Sequence, residues 1–472
     1  MMAWPPENAS APIVGHDPRR RDSSGDARLE KCGLSKMQNT STQTEGSCQT
    51  LLVPSQTYSV TVAGKAVACL DAGKADFASW EMIQPGEVMI HVDGDASGTT
   101  ISPLRRNIRP VVNGGTIAFT ITEPGNLCVI LPDRKPLFLY IDAPGAEVPQ
   151  PGERQVRYYG GGRVYDVGEI ELHSGDTLCI ERGSVLRGNI MCRDAEGVRI
   201  CGGGILDGSY YDSVSGEFVR SIVFENCRDV VVEGIIMVHP TTWMLVLARC
   251  EHVVVRGVKQ IGSCMSSDGI DICGSRDVLV EKCCLRNDDD NIAVKSLFTS
   301  DGRDWRGNIA DVIVRDCTFL NGQPGNVMEI GYELSADRVG EVLFENIDVI
   351  QANGDGAVFS IHNGDRAVVE NITWRDIRVE HYWDKLVDLR IVHSRYNRDE
   401  SRGHIRNIRF EKIGVTGSIY NEGCSISLIG GFSAEHEVSG VQFEDFSLNG
   451  TKVTDGDAID LHVRHATGLA FS

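Results

Sequence analysis

Asp288, Asp289 and Asp290 stand side by side in Arg286-Asn287-Asp288-Asp289-Asp290-Asn291-Ile292-Ala293-Val294-Lys295-Ser296, directly ahead of an alternating apolar run. Adjacent carboxylates repel, so such a triplet is rarely there for stability. Twenty-two residues earlier, Asp268-Gly269-Ile270-Asp271-Ile272 has the same shape as Asp290-Asn291-Ile292-Ala293-Val294: an Asp, a spacer, then two apolar residues separated by one. If that interval is one turn of a coil, Asp268 lies over Asp290 at the spacing of neighbouring strands, about 4.8 Å. Three carboxyl groups then converge on one patch. They cannot all ionise easily, so one keeps its proton and can act as an acid while the others accept a proton from water. That is the equipment for cleaving a glycosidic bond. A lone acidic triplet is more often a solvated turn or a calcium ligand set, and Asp288 by itself reads as a turn cap. The partner one coil away adds weight to the catalytic reading beside these.

The elements that must position this cluster repeat. The pattern apolar-x-apolar-polar-x-apolar begins at Val230, Val253, Val278, Val312 and Val342 and recurs at Ile372, Ile408 and Val441, at intervals of 23 to 36 residues. No 3.6-residue period is sustained between the copies, which argues against βαβ units. Short β-branched strands repeated without helices specify a parallel β-helix, whose coils bury their apolar residues against the coils above and below. Aligning the coils matches Ile270 and Ile272 with Ile292 and Val294, then with Met328 and Ile330, Phe359 and Ile361, and Val387 and Leu389. Alternation places the residues between and just after them outside. That outer set is Asp271, Ala293, Lys295, Glu329, Gly331, Ser360, His362, Asp388 and Arg390. We take Asp271, Lys295, Glu329, His362, Asp388 and Arg390 as candidate substrate-binding residues, with Trp243 and Tyr332 as faces on which a sugar could stack. A buried structural histidine and a salt-bridge set are the competing readings of His362 and of Glu329, Asp388 and Arg390.

Residues 1–55 are polar and aperiodic and read as a disordered segment. Alternating runs such as Tyr58–Val62, Val88–Val92, Thr116–Ile121 and Leu137–Ile141, punctuated by Gly and Pro, predict antiparallel strands in a small β-sandwich over 57–147. Pro144, Pro149 and Pro151 mark a linker, and the β-helix follows over 155–472. The 472-residue chain carries a formal charge of −20, which argues against nucleic acid or an anionic membrane as partner. Its 15 cysteines show no CxxC or His-spaced pairs, so no metal site is signalled and buried free thiols are expected. The charged run His16-Asp17-Pro18-Arg19-Arg20-Arg21-Asp22 sits where a secretory signal would need an apolar stretch. A cytoplasmic location is expected, with export of a longer precursor left open. The sequence does not address oligomeric state.

The Asp268-Gly269-Ile270-Asp271-Ile272 and Asp289-Asp290-Asn291-Ile292-Ala293-Val294 segments resemble the Asn-Thr-Asp-Gly and Gly-Asp-Asp-Cys-Ile-Ala-Ile motifs of glycoside hydrolase family 28, the polygalacturonases. The sandwich-then-helix layout is also similar to the family 49 dextranases. The resemblance implies a right-handed β-helix that hydrolyses an α-linked oligo- or polysaccharide with inversion and without cofactor or metal. It implies Asp289 as general acid, with Asp268 and Asp290 activating water. Two departures stand out. Gly325-Asn326-Val327 replaces the family's Gly-His-Gly, and Ser360-Ile361-His362 falls where its Arg-Ile-Lys grips a galacturonate carboxylate. A neutral sugar is therefore a candidate substrate. The rival readings are a polysaccharide lyase built on Lys295 and Arg390, and a β-helix that binds glycans without turnover.

Overall fold

The computed structural model describes residues 52–145, 148–211, 216–417 and 425–472. The expectation for residues 1–55 falls almost wholly outside them. Two five-stranded sheets come first and enclose a core that includes Val60, Val88, Ile90, Leu127 and Leu139. Leu137–Asp142 pairs parallel with Asp76–Glu81, whereas the sequence pattern led us to expect antiparallel strands throughout. Period-two alternation carries no information on strand direction, and the long connection between these strands allows the crossover that a parallel pair needs.

From Val156 onward a thirty-stranded sheet coils on itself, with most strands hydrogen-bonded to the equivalent strand of the next coil. No α-helix occurs among the described residues. The repeat read from the sequence is the observed register. Val230, Val253, Val278, Val312, Val342, Ile372, Ile408 and Val441 lie one above another through successive pairings. All eight are buried. Each such side chain contributes about 1.5–3 kcal/mol by burial, and a one-residue slip would turn the whole set outward, so register is strongly specified. Phe344, Trp374, Phe410, Phe443 and Phe471 reinforce it by stacking, with successive ring centroids 4.7–5.9 Å apart.

The coil turns sharply between strands through residues at positive φ. One row of corners is Lys282, Asp316, Asn346, Asp376 and Lys412, with φ between 52° and 56°. Asn and Asp tolerate this left-handed region better than other residues with a Cβ. Asn371, the acceptor position of a sequon, occupies another such corner at φ 58° and donates to Glu341 Oε1 at 2.9 Å.

The small sheets dock on the side of the coil built by the strands Ile205–Asp207, Ile236–Val238, Lys259–Ile261 and Cys284–Asn287 and their successors. Phe77, Phe138 and Tyr140 pack with Ile205, Ile236, Ile261, Cys284, Leu320 and Ile350. Lys259 Nζ and Arg182 Nη2 bind Asp142 across this junction, each at 2.6 Å. The acidic cluster belongs to a different side of the coil, that of the first strand of each turn, such as Ile270–Cys273 and Ile292–Ser296. Cys227, Cys250, Cys273, Cys283 and Cys317 are buried free thiols, as expected.

Candidate active site

Four first strands carry the site: Ile270–Cys273, Ile292–Ser296, Met328–Leu334 and Ala357–Asn363, with Lys385–Ile391 beyond. Their register matches the alignment made from sequence, pair by pair. Parallel pairing continues just ahead of the strands, where Gly269 N donates to Asp290 O at 2.8 Å and Asn291 N to Asn326 O at 3.1 Å. Asp268, Asp290 and Asn326 are thereby stacked.

A buried amide network fixes the turn that holds the triplet. Asn291 Nδ2 donates to Asn287 Oδ1 at 2.9 Å, and to the carbonyls of Leu285 and Leu320. Asn321 Nδ2 donates to Asp289 O at 2.7 Å. Gly325 packs so closely that a Cβ there would lie 2.1 Å from the Asp289 carbonyl carbon. Any side chain at 325 would push Asp289 out of place. These amide donors hold the turn in one geometry, although Asn291 Oδ1 itself has no hydrogen-bond partner among the described residues.

One oxygen each from Asp268, Asp289 and Asp290 lies within 4.8 Å of the others. Their surroundings differ. Asp268 Oδ2 accepts from Lys295 Nζ at 2.5 Å, and Oδ1 has no hydrogen-bond partner among the described residues. Asp290 Oδ1 accepts from Asn326 N at 2.7 Å and from Asn326 Nδ2 at 3.1 Å. The Asp289 carboxyl accepts only the Asp290 N–H, at 3.0 Å, and forms no ion pair among the described residues. Burial first, then the charges of Asp268 and Asp290, push Asp289 up to about 9. Burial, then Glu329 and Asp268, push Asp290 up to about 7. Asp288 turns away to pair with Arg286 at 2.7 Å, in keeping with a turn-fixing role.

Lys295 is saturated. Its ammonium binds Asp268 and, at 3.0 Å, Asp271, and lies 4.1 Å from the Trp243 ring centroid. Burial opposes its charge, but Asp268, Asp271 and Asp290 outweigh burial and hold it protonated. Burial also drives the Asp271 carboxyl upward, against the pull of Lys295. The three carboxylates are close enough to chelate a cation or to share a proton, and Lys295 already supplies a cation beside Asp268.

The later coils carry a charge ladder. His362 Nδ1 lies 2.9 Å from Glu329 Oε1, and Nε2 lies 3.1 Å from Asp388 Oδ2 but off the hydrogen-bonding direction. Arg390 forks onto Asp388 at 2.5 and 2.7 Å. Burial disfavours the imidazolium, yet Glu329 and Asp388 prevail and raise His362 to about 10. Tyr332 covers the imidazole, stacked at 4.4 Å with the rings 4° apart.

The structure thus brings every candidate residue to one face, but not every one to solvent. Asp271, Lys295, Glu329, His362 and Asp388 are buried, with Asp271 bound to Lys295 and His362 lying between Glu329 and Asp388. Alternation told which side of the sheet they leave by, and neighbouring side chains then roofed them. Trp243 is half-buried, with Lys295 and Arg220 near its ring. Asp289, Tyr332 and Arg390 remain partly open to solvent. Sequence reasoning missed Asn326 as the partner of Asp290, and Glu333, whose carboxyl is raised by burial near Lys295. It also missed the segment 297–309, although the longer interval from Val278 to Val312 signals an insertion there.

The family model described as glycosyl hydrolases family 28 matches residues 183–462. Among curated protein sequences, none matches. Among solved structures, Dex49A from Penicillium minioluteum is similar over 87% of this chain and 94% of its own, at 13% identity and a TM-score of 0.63, which shows a shared fold. A hyperthermoactive exopolygalacturonase from Thermotoga maritima aligns over 67% of this chain and 84% of its own, at 18% identity and a TM-score of 0.47. The family 28 exopolygalacturonase of Yersinia enterocolitica aligns over 90% and 92%, at 14% identity and a TM-score of 0.48. With the family model spanning more than half of its length and the paired-Asp segments stacked inside that span, the chain belongs to glycosyl hydrolases family 28 and is a glycoside hydrolase.

Proposed function

We propose that this enzyme hydrolyses a neutral α-linked glycan with inversion, Asp289 donating the proton to the leaving oxygen while Asp268 and Asp290 take one from the attacking water. The observation that carries the reading is the unequal treatment of three close carboxylates: Asp268 is paired with a lysine, Asp290 with an asparagine, and Asp289 with no cation. A carboxyl without counter-charge in a buried anionic cluster keeps its proton at neutral pH and can act as the acid.

The spacing is closer than the roughly 6.5–9.5 Å usual for an inverting pair. Retention, however, requires a carboxylate free to bond to the sugar. Asp268 is pinned by Lys295, and Asp290 accepts two N–H groups from Asn326 through one oxygen. Both can still accept a proton from water. The lyase alternative needs a neutral base, and the candidates are occupied: Lys295 is held protonated between two aspartates, and Arg390 is forked onto Asp388. The same engagement leaves these two cations poor partners for a galacturonate carboxylate, which supports a neutral sugar.

Wild type and Asp289→Asn would be incubated with dextran, neutral α-galactosides and polygalacturonate, following reducing ends and product anomer. Turnover of a neutral glycan to the inverted anomer, lost in the variant, is expected. A retained anomer would sink the inverting mechanism, and preference for polygalacturonate would sink the neutral substrate. Glycan binding without turnover in either protein would favour a lectin-like role.

A further inference from the structure

The outward face of the first-strand sheet is not uniform along the coil. On the side of the earlier coils it is apolar: Met191, Val223, Val246, Ala248 and Cys273 leave the sheet away from the main core and are each no more than 6% exposed. Met191, Val223 and Val246 stand in register with Asp271 of the site, and Ala248 and Cys273 with Lys295. What covers them is the segment between Ile292–Ser296 and Ala310–Arg315, which lays Leu297 and the fully buried Trp305 on this row.

The segment is built and anchored. Trp305 N donates to Leu297 O at 2.9 Å and Thr299 N to Arg303 O at 3.0 Å, closing a compact loop. Trp305 Nε1 donates to Glu225 Oε1 at 3.1 Å, and Arg303 Nη1 reaches Glu225 Oε2 at 3.3 Å. Glu225 stands three coils before Lys295 in the same row, so the loop reaches back about 14 Å at the usual strand spacing. The neighbouring row is closed as well. Arg220, which precedes Trp243 and Asp268 in their stack, pairs with Asp301 of the loop at 3.3 Å and lies over both the Trp305 and Trp243 rings, at 4.8 and 5.2 Å.

On the other side of the carboxylates the way is open among the described residues. Arg390 has a side chain 37% exposed, Tyr396 is 38% exposed, and the row through Asp388 continues to the half-buried Leu428 and the exposed His462.

From this asymmetry we infer that the enzyme attacks chain ends: the 297–306 loop, with Trp305 and Arg220, stops the cleft immediately before the carboxylates, and the glycan leaves past Tyr332, Arg390 and Tyr396. This rests on the glycosidase reading above. A through-going chain would need about three coils of clear surface where the loop and its apolar bed lie. Trp305 and Arg220 determine where the chain is cut and touch no reacting atom.

The test uses the full chain on polymeric and short forms of the three glycans named above, recording product size from the first minutes and viscosity against reducing ends. Chain-end action predicts one small product size from the start, with little viscosity lost per bond cleaved. A ladder of mid-chain products would overturn it. Turnover of none of them would instead overturn the glycosidase reading, a different failure. Two variants address the loop: residues 299–304 replaced by Gly-Gly, and Arg220→Ala with Asp301→Ala, which removes the ion pair and the guanidinium over the two rings but leaves the apolar bed of Met191, Val223, Val246, Ala248 and Cys273 in place. Either should add mid-chain products. An unchanged product pattern in variants with native circular dichroism would overturn the assignment to this loop.

Discussion

Replacing Asp289 by asparagine should abolish turnover and at the same time stabilise the fold, by an amount that grows with pH. Burial and the adjacent charges raise this carboxyl from 3.8 to about 9 in the folded protein. A carboxyl whose folded value exceeds its unfolded one binds its proton more tightly when folded, so the fold loses stability as pH rises between the two values. The penalty is absent below the unfolded value, increases by about 1.4 kcal/mol per pH unit, and is complete near pH 9 at about 7 kcal/mol. Asparagine cannot ionise and keeps an oxygen to accept the Asp290 N–H. The variant's advantage should therefore be at most about 2 kcal/mol at pH 5, about 4 at pH 7 and about 6 at pH 8. Urea denaturation midpoints followed by circular dichroism at these three pH values measure it. An advantage that is flat with pH, a variant less stable than wild type throughout, or retained turnover would refute the argument that Asp289 is a strained, protonated acid.

Three further outcomes follow from the same cluster. Lys295→Met removes the cation from two buried carboxylates and should cost about 3–5 kcal/mol in thermal or urea unfolding together with activity; an active, equally stable variant would contradict its counter-ion role. The pH–rate profile should rise as Asp290 gives up its proton near 7 and fall as Asp289 loses its own near 9, a bell whose limbs belong to the cluster; activity maximal at pH 4 would count against these roles. Asn326→Ala deletes one donor to Asp290 and leaves the Ala357 N–H without its Oδ1 acceptor, for a loss of about 1–3 kcal/mol and a fall in kcat larger than any change in KM.

The sequence alone determined the coil and its register. Val230 through Val441 and Ile270 through Leu389 recur at positions where one face must be apolar, and a parallel stack has only one register that buries them all. Asp268 over Asp290 followed from that register, because residues at equal offsets from stacked strands are themselves stacked. Alternation also told which side chains leave the sheet away from the core. It could not tell what lies on top of them. Tertiary structure decided that Lys295 is spent between Asp268 and Asp271, that His362 is clamped between Glu329 and Asp388 beneath Tyr332, and that the 297–306 loop folds back over three earlier coils. Periodicity reports burial against the stacked core, a local and repeated interaction. The protonation of Asp289 and the closed end of the cleft depend on groups brought together from different turns and from a single insertion, and these leave no period in the chain.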